Sequence, residues 1–146
     1  APTVYYGDEA GVCGFTDPDN RRTYPWGHED KELIDFHKAA IKMHKENEVL
    51  RTGSYKQLYS AHNVIAYGRF TSDDAVIVVV NNGEDEIRVN IPAWETGLAM
   101  DDDVEQIMVT FEGGYSTDRQ GYRLKDGILN IGLRKTSATV LRRLRW

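Results

Sequence analysis

The acidic side chains near the front of the chain are the first candidates for chemistry. Asp8 and Glu9 follow the run Thr3–Tyr6 and Gly7. Two neighbouring carboxylates could supply an acid and a base. On an extended backbone, however, adjacent side chains point to opposite sides. The pair therefore cannot straddle one bond, and for Glu9 the simpler role is to hold loop amides at a strand end. Asp17, Asp19 and Arg21 form a second group around Pro18. They suit a turn held by side-chain hydrogen bonds. They suit equally a grip on sugar hydroxyls, because an Arg fixed by a carboxylate presents a rigid fork of donors. The residues alone leave both readings open. Asp17-Pro18-Asp19-Asn20 does not complete a calcium loop, since the required Gly and distal Glu are missing. Asp101-Asp102-Asp103 reads as a solvated turn, and no metal or cofactor is expected.

The remaining reactive residue types carry less. Cys13 is the one cysteine, so no intrachain disulfide can form, and a small filler in a reduced protein is the expected role. His37 and His44 stand seven apart, not four, and do not make the paired zinc-ligand spacing. His28 suits a loop or capping position, and His62 a turn. Trp26, Trp94 and Trp146 are scattered, and Trp94 on a loop could stack on a sugar ring. No nucleophile elbow, phosphate loop, dinucleotide fingerprint or CxxC pair is present. A net charge of -5 over 146 residues argues against a phosphate-backbone binder. The basic end, Arg134-Lys135 and Arg142-Arg143-Leu144-Arg145, alternates with apolar residues as the outer face of a last strand would. No run approaches the length of a membrane span.

These residues need elements to position them. Thr3–Tyr6 is β-branched and aromatic, as a doubly buried strand would be. Residues 7–28, with Gly7, Gly11, Gly14, Gly27, Pro18 and Pro25, read as a long loop of the kind that carries function. A helix is expected over 28–47. Its acidic first turn is Glu29, Asp30 and Glu32, and its stripe is Leu33, His37, Ala40, Ile41 and His44, widened by Ile34 and Phe36. After Leu50 the period changes to two. Strands are expected at 54–60, 63–71, 75–81, 86–91, 104–111, 122–125, 128–131 and 137–145, with hairpins at Asn81-Asn82-Gly83 and Lys125-Asp126-Gly127. Residues 94–103 read as a loop within this part. The fold class is therefore mainly β: an antiparallel Greek-key β-sandwich preceded by one βα unit, with the division at 1–49 and 50–146.

With those elements placed, Pro2-x-x-Tyr5-Tyr6-Gly7-x-Glu9 resembles the last barrel strand of the α-amylase family of glycoside hydrolases. Asp17-Pro18-x-x-Arg21, with Trp26 behind it, resembles the loop that follows. Helix 29–46 resembles the last helix of the (β/α)8 barrel. The pattern from Arg51-x-Gly53-x-Tyr55 through Ala66-Tyr67-x-Arg69 to the valine run before Asn81-Asn82 resembles the C-terminal β-sandwich called domain C. The likeness is to neopullulanase, cyclomaltodextrinase and maltogenic amylase.

The resemblance implies a C-terminal piece of an enzyme that degrades starch, maltodextrin, cyclodextrin or pullulan with retention. That chemistry needs two carboxyl groups about 5–5.5 Å apart, and the family's catalytic carboxylates lie on earlier strands, so this chain holds none of them. The absence of an initiator Met before Ala1 and the isolated βα unit carry the same expectation of a truncated chain, inactive alone. Asp17 and Arg21 map onto substrate-binding residues, and Glu9 onto a structural glutamate. The expected partners are an α-glucan oligosaccharide and either the rest of the barrel or a second copy through the helix face. Nucleic acid and membrane are not expected. The compartment stays unknown, with the cytoplasm ahead of secretion. The other readings are a stand-alone carbohydrate-binding or protein-interaction sandwich and a purely structural domain.

Overall fold

The computed structural model describes residues 2–144. Ala1 at the head of the opening motif, Arg145 at the end of the last expected strand, and Trp146 lie outside the described residues. The chain falls into two compact units, Ala1–Glu46 and Asn47–Trp146.

In the first unit, Thr3–Tyr6 is not a strand. Val4, Tyr5 and Tyr6 are exposed rather than buried. Their residue types favour extended backbone, but a strand is completed only by the N–H and C=O groups of a partner. The described residues of this unit offer no second strand. Short 3-10 turns follow at Asp8–Ala10 and Asp19–Arg21. Helix α1 spans Lys31–Glu46 and so starts three residues later than 28. Asp30 caps it, because its Oδ1 accepts the Leu33 amide at 3.0 Å. The Asp30 amide in turn donates to the Ala10 carbonyl at 3.1 Å, which ties the helix start to the first turn. The stripe of α1 is half-buried at Leu33, Ile34, His37 and His44, and Ile41 is exposed.

Asn47 is extended and stops the expected single helix. The second unit opens with a short helix α2, Glu48–Thr52, which the periodicity did not reveal. Its strands are β1 Ser54–Ala61, β2 Val64–Phe70, β3 Ala75–Asn81, β4 Ile87–Pro92, β5 Asp103–Phe111, β6 Gly114–Ser116, β7 Gln120–Arg123, β8 Ile128–Leu133 and β9 Ser137–Arg143. The larger sheet runs β1-β2-β3-β9-β5-β6, and β7 also pairs with β5; the smaller sheet is β4-β8. Every pairing is antiparallel. The last strand, β9, inserts between β3 and β5, so the sheet closes only when the C-terminal residues arrive.

The Asn81-Asn82-Gly83 hairpin is a correction. It does not pair β3 with β4; it carries the chain from one sheet to the other. Asn81 is buried, and its Nδ2 donates to the carbonyls of Asp85 and Arg134 at 2.9 and 2.8 Å while its Oδ1 accepts the Gly83 amide at 2.9 Å. Those three bonds replace the ladder that a two-residue turn would have begun. Lys125-Asp126-Gly127 does turn tightly, with φ of 52° and 75° at Asp126 and Gly127. Only the rung Lys125–Ile128 forms before the chain crosses to the other sheet.

Alternation explains the core. Val89 and Ile91 from β4 and Leu129, Ile131 and Leu133 from β8 pack in one apolar cluster with Ala66, Ile77, Val79 and Leu141 of the larger sheet. Central β3 is buried along most of its length, as a strand covered on both faces should be. A 3-10 turn at Ala93–Thr96 sits on β2, where Gly68 leaves room: a Cβ there would strike Thr96 Cγ2.

Candidate functional site

The loop between the two 3-10 turns and the start of α1 gathers the polar groups of the first unit. Arg21 Nε and Nη2 donate to the two carboxylate oxygens of Asp17 at 3.1 and 3.4 Å. The i to i+4 spacing lets the guanidinium lie back over the carboxylate across the Asp19–Arg21 turn. Arg22 Nε and Nη2 grip Asp19 Oδ1 at 2.9 and 2.6 Å, and Asp19 Oδ2 also accepts the Phe15 amide at 3.0 Å. Those contacts, the Arg22 guanidinium first, hold the Asp19 carboxyl below its ordinary pKa. The Arg22 carbonyl accepts the Tyr6 hydroxyl at 3.0 Å, which fastens this loop to the opening segment.

The Asp17 and Arg21 side chains are 63% and 69% exposed. An ion pair that exposed adds about 0–1 kcal/mol to stability. Its value is therefore one of orientation: the grip uses Nε and Nη2 and fixes the plane in which Nη1 is presented. Beside it on the chain, Phe15 and Trp26 are 85% and 80% exposed, and the Tyr24 and Trp26 rings meet at 4.6 Å between centroids, tilted by 50°. A fixed guanidinium together with bare aromatic rings suits the hydroxyls and C–H faces of a sugar. Phe15 was not singled out in the sequence, because one Phe in a glycine-rich loop looks like any other apolar residue; only its exposure marks it.

Asp8 and Glu9 do not converge on a common point. Asp8 Oδ2 accepts the Tyr5 amide at 2.8 Å within its own turn. Half-buried Glu9 faces Tyr24, whose phenol is pushed up by loss of hydration and by the nearby Glu9 and Glu29 carboxylates. Glu29 accepts the Gly27 amide at 3.1 Å, and backbone amides hold its carboxyl low. His37 Nδ1 lies 2.9 Å from the Leu33 carbonyl within α1. Cys13 is exposed. Among the described residues no three His, Cys, Asp or Glu side chains are placed to hold a metal. Asp101 and Asp103 meet Arg123, and Asp102 meets Arg143. Among the described residues no helix is long and apolar enough to cross a membrane.

The fold defines a class first: strands hold 41% and helices 22% of the residues, in the antiparallel sandwich arrangement found at the C-terminus of α-amylase-family enzymes. The alpha-amylase of Anoxybacillus superposes on 97% of this chain with a TM-score of 0.79 at 24% identity, using 28% of its own length. Sequence narrows this further, for the chain's homologues are amylopullulanase, cyclomaltodextrinase and neopullulanase. The amylopullulanase of Thermoanaerobacter thermohydrosulfuricus is 45% identical over 94 residues, 57% of this chain. The cyclomaltodextrinase of Thermoanaerobacter pseudethanolicus is 42% identical over 83 residues, 56% of this chain. The chain spans 6% and 14% of the lengths of those two relatives. No family model matches the chain.

Proposed function

We propose that this chain is the C-terminal part of an α-glucan-degrading glycoside hydrolase, in which residues 1–49 form the last βα unit of the barrel and residues 50–146 its C-terminal sandwich. The observation that carries the reading is the Asp17–Arg21 fork, displayed in solvent among exposed aromatic rings on a chain whose homologues are amylopullulanase and cyclomaltodextrinase. In this reading Asp17 orients Arg21, Arg21 donates to substrate hydroxyls, and Glu9 holds the framework beneath the loop. The reacting carboxylates are supplied elsewhere in the enzyme, so the chain alone turns over neither maltooligosaccharides nor cyclodextrins.

The test uses the full-length enzyme that carries this segment. Arg21→Ala removes a charge-assisted donor, so KM or kcat/KM for maltooligosaccharides should worsen by roughly 10- to 100-fold. Unchanged kinetics would remove Arg21 from the site. A partner for α1 belongs to the same reading: its half-exposed stripe is covered by the rest of the barrel or by a second copy. Sedimentation of the chain as a monomer at all concentrations would remove the second copy.

A further inference from the structure

We propose that Trp94 and Met100 form a sugar-stacking platform on the sandwich unit that takes a segment of α-glucan chain. The choice of α-glucan rests on the function proposed above; the platform itself rests on geometry. Trp94 and Met100 are 48% and 56% exposed. Both lie over Gly127, where a Cβ would come within 2.7 Å of Trp94 Cβ and 3.0 Å of Met100 Sδ. Gly127, at φ 75°, is the position that allows the two side chains to rest on bare backbone.

Backbone bonds hold all three residues in place. The Trp94 amide donates to the Gly127 carbonyl at 3.0 Å, and the Gly127 amide donates to the Met100 carbonyl at 2.8 Å. The backbone at Trp94 and at Met100 is thus tied to the same glycine, and both side chains border the space that a Gly127 Cβ would fill. Burying them in the core would remove more apolar surface from water, so a rigid mount in solvent suits a surface that receives a ligand.

The rim indicates which ligand. Met100 continues into an open depression of about 440 Å3 lined also by Asp101, Arg123, Lys125 and Asp126. Arg123 is shared between Asp101 at 3.3 Å and Asp103 at 3.7 Å. Arg123 and Lys125 stand on this rim with Asp101 and Asp126, so the formal charges cancel and leave donors and acceptors without a net charge. An apolar plate with a few fixed polar groups beside it fits a neutral polyhydroxyl ring, whose C–H face stacks while its hydroxyls hydrogen-bond. An ionic ligand would need a net charge on the rim.

The test titrates the full chain with maltoheptaose and, separately, with a β-1,4-linked glucan oligosaccharide, reading nitrogen–proton NMR signals. The expected result is that maltoheptaose shifts the Trp94 indole and the Gly127 amide. Trp94→Ala should then weaken binding by at least about tenfold, and Arg123→Gln by a smaller factor. The wild-type map decides the question even if Trp94→Ala fails to fold. Silence at Trp94 and Gly127 overturns the platform. Shifts confined to Phe15, Arg21 and Trp26 also overturn it while leaving the proposed function standing. Shifts at Trp94 with none at Arg21 support the platform and count against the Asp17–Arg21 grip. A response to the β-linked chain alone overturns the choice of α-glucan.

Discussion

The two units place their apolar residues in opposite ways. In residues 2–46, Phe15 and Trp26 are almost fully exposed, and Ala10 is the one buried apolar side chain among the described residues. In the sandwich, Ile77, Ile91, Leu129 and Leu141 are at most 1% exposed. Both segments have sound local signals: α1 has a cap and a stripe, and the strands have alternation. The difference lies in closure. A sheet folded over a second sheet encloses its own apolar face, whereas one amphipathic helix and two 3-10 turns have nothing to enclose. Secondary structure written in a sequence is thus no guarantee of an independent core.

The strongest way to break that contrast is to separate the units. Residues 47–146 alone should melt in one cooperative transition, and residues 1–46 alone should show none; a cooperative transition in the short piece would refute the contrast. Within the sandwich, Leu129→Ala should lower unfolding stability by about 2–5 kcal/mol in urea titration. Ile41→Ala on α1 should change it by less than about 1 kcal/mol. Similar values at both positions would mean that α1 is as enclosed as β8. Asn81→Ala removes one side chain that serves three backbone groups, so a loss of about 1–3 kcal/mol is expected. A neutral result would mean that water satisfies the Asp85 and Arg134 carbonyls.

The smallest effect concerns pH in the exposed loop. Arg22 and the Phe15 amide favour the charged form of Asp19, so its folded pKa lies below its unfolded one. The stabilising contribution is complete above the unfolded value and is lost as pH falls through the lowered folded value. Because these groups are solvated, the effect is local and weakened by salt. The Phe15 amide signal should titrate with a midpoint below that of Asp19 in an unfolded peptide. A midpoint at or above it would mean that the Arg22 contact does not persist in solution.

Much of this was legible in the sequence. The change of period after Leu50 marked the sandwich, and the strand at 75–81 lies where its run of β-branched residues puts it, because such side chains suit extended backbone whatever the partner strand is. The resemblance carried by Pro2–Glu9 and Asp17–Arg21 pointed to the α-amylase family, and cyclomaltodextrinase and neopullulanase are among the chain's relatives. Strand β6 escaped because three residues beginning on a glycine hold too little pattern, and α2 because Asn47 interrupts the helical period unseen.

What only tertiary structure decided is pairing and exposure. Asn-Asn-Gly has the composition of a hairpin turn, but the competition between one ladder and the burial of Asn81 is settled by Asp85 and by Arg134, far along the chain. Thr3–Tyr6 has the composition of a strand, but a ladder belongs to two segments and no single one can specify it. Trp94 and Gly127 lie 33 positions apart, and nothing local makes an exposed indole rest on that glycine. Residue types fix what each segment can do; the partners that satisfy its backbone and cover its side chains fix what it does.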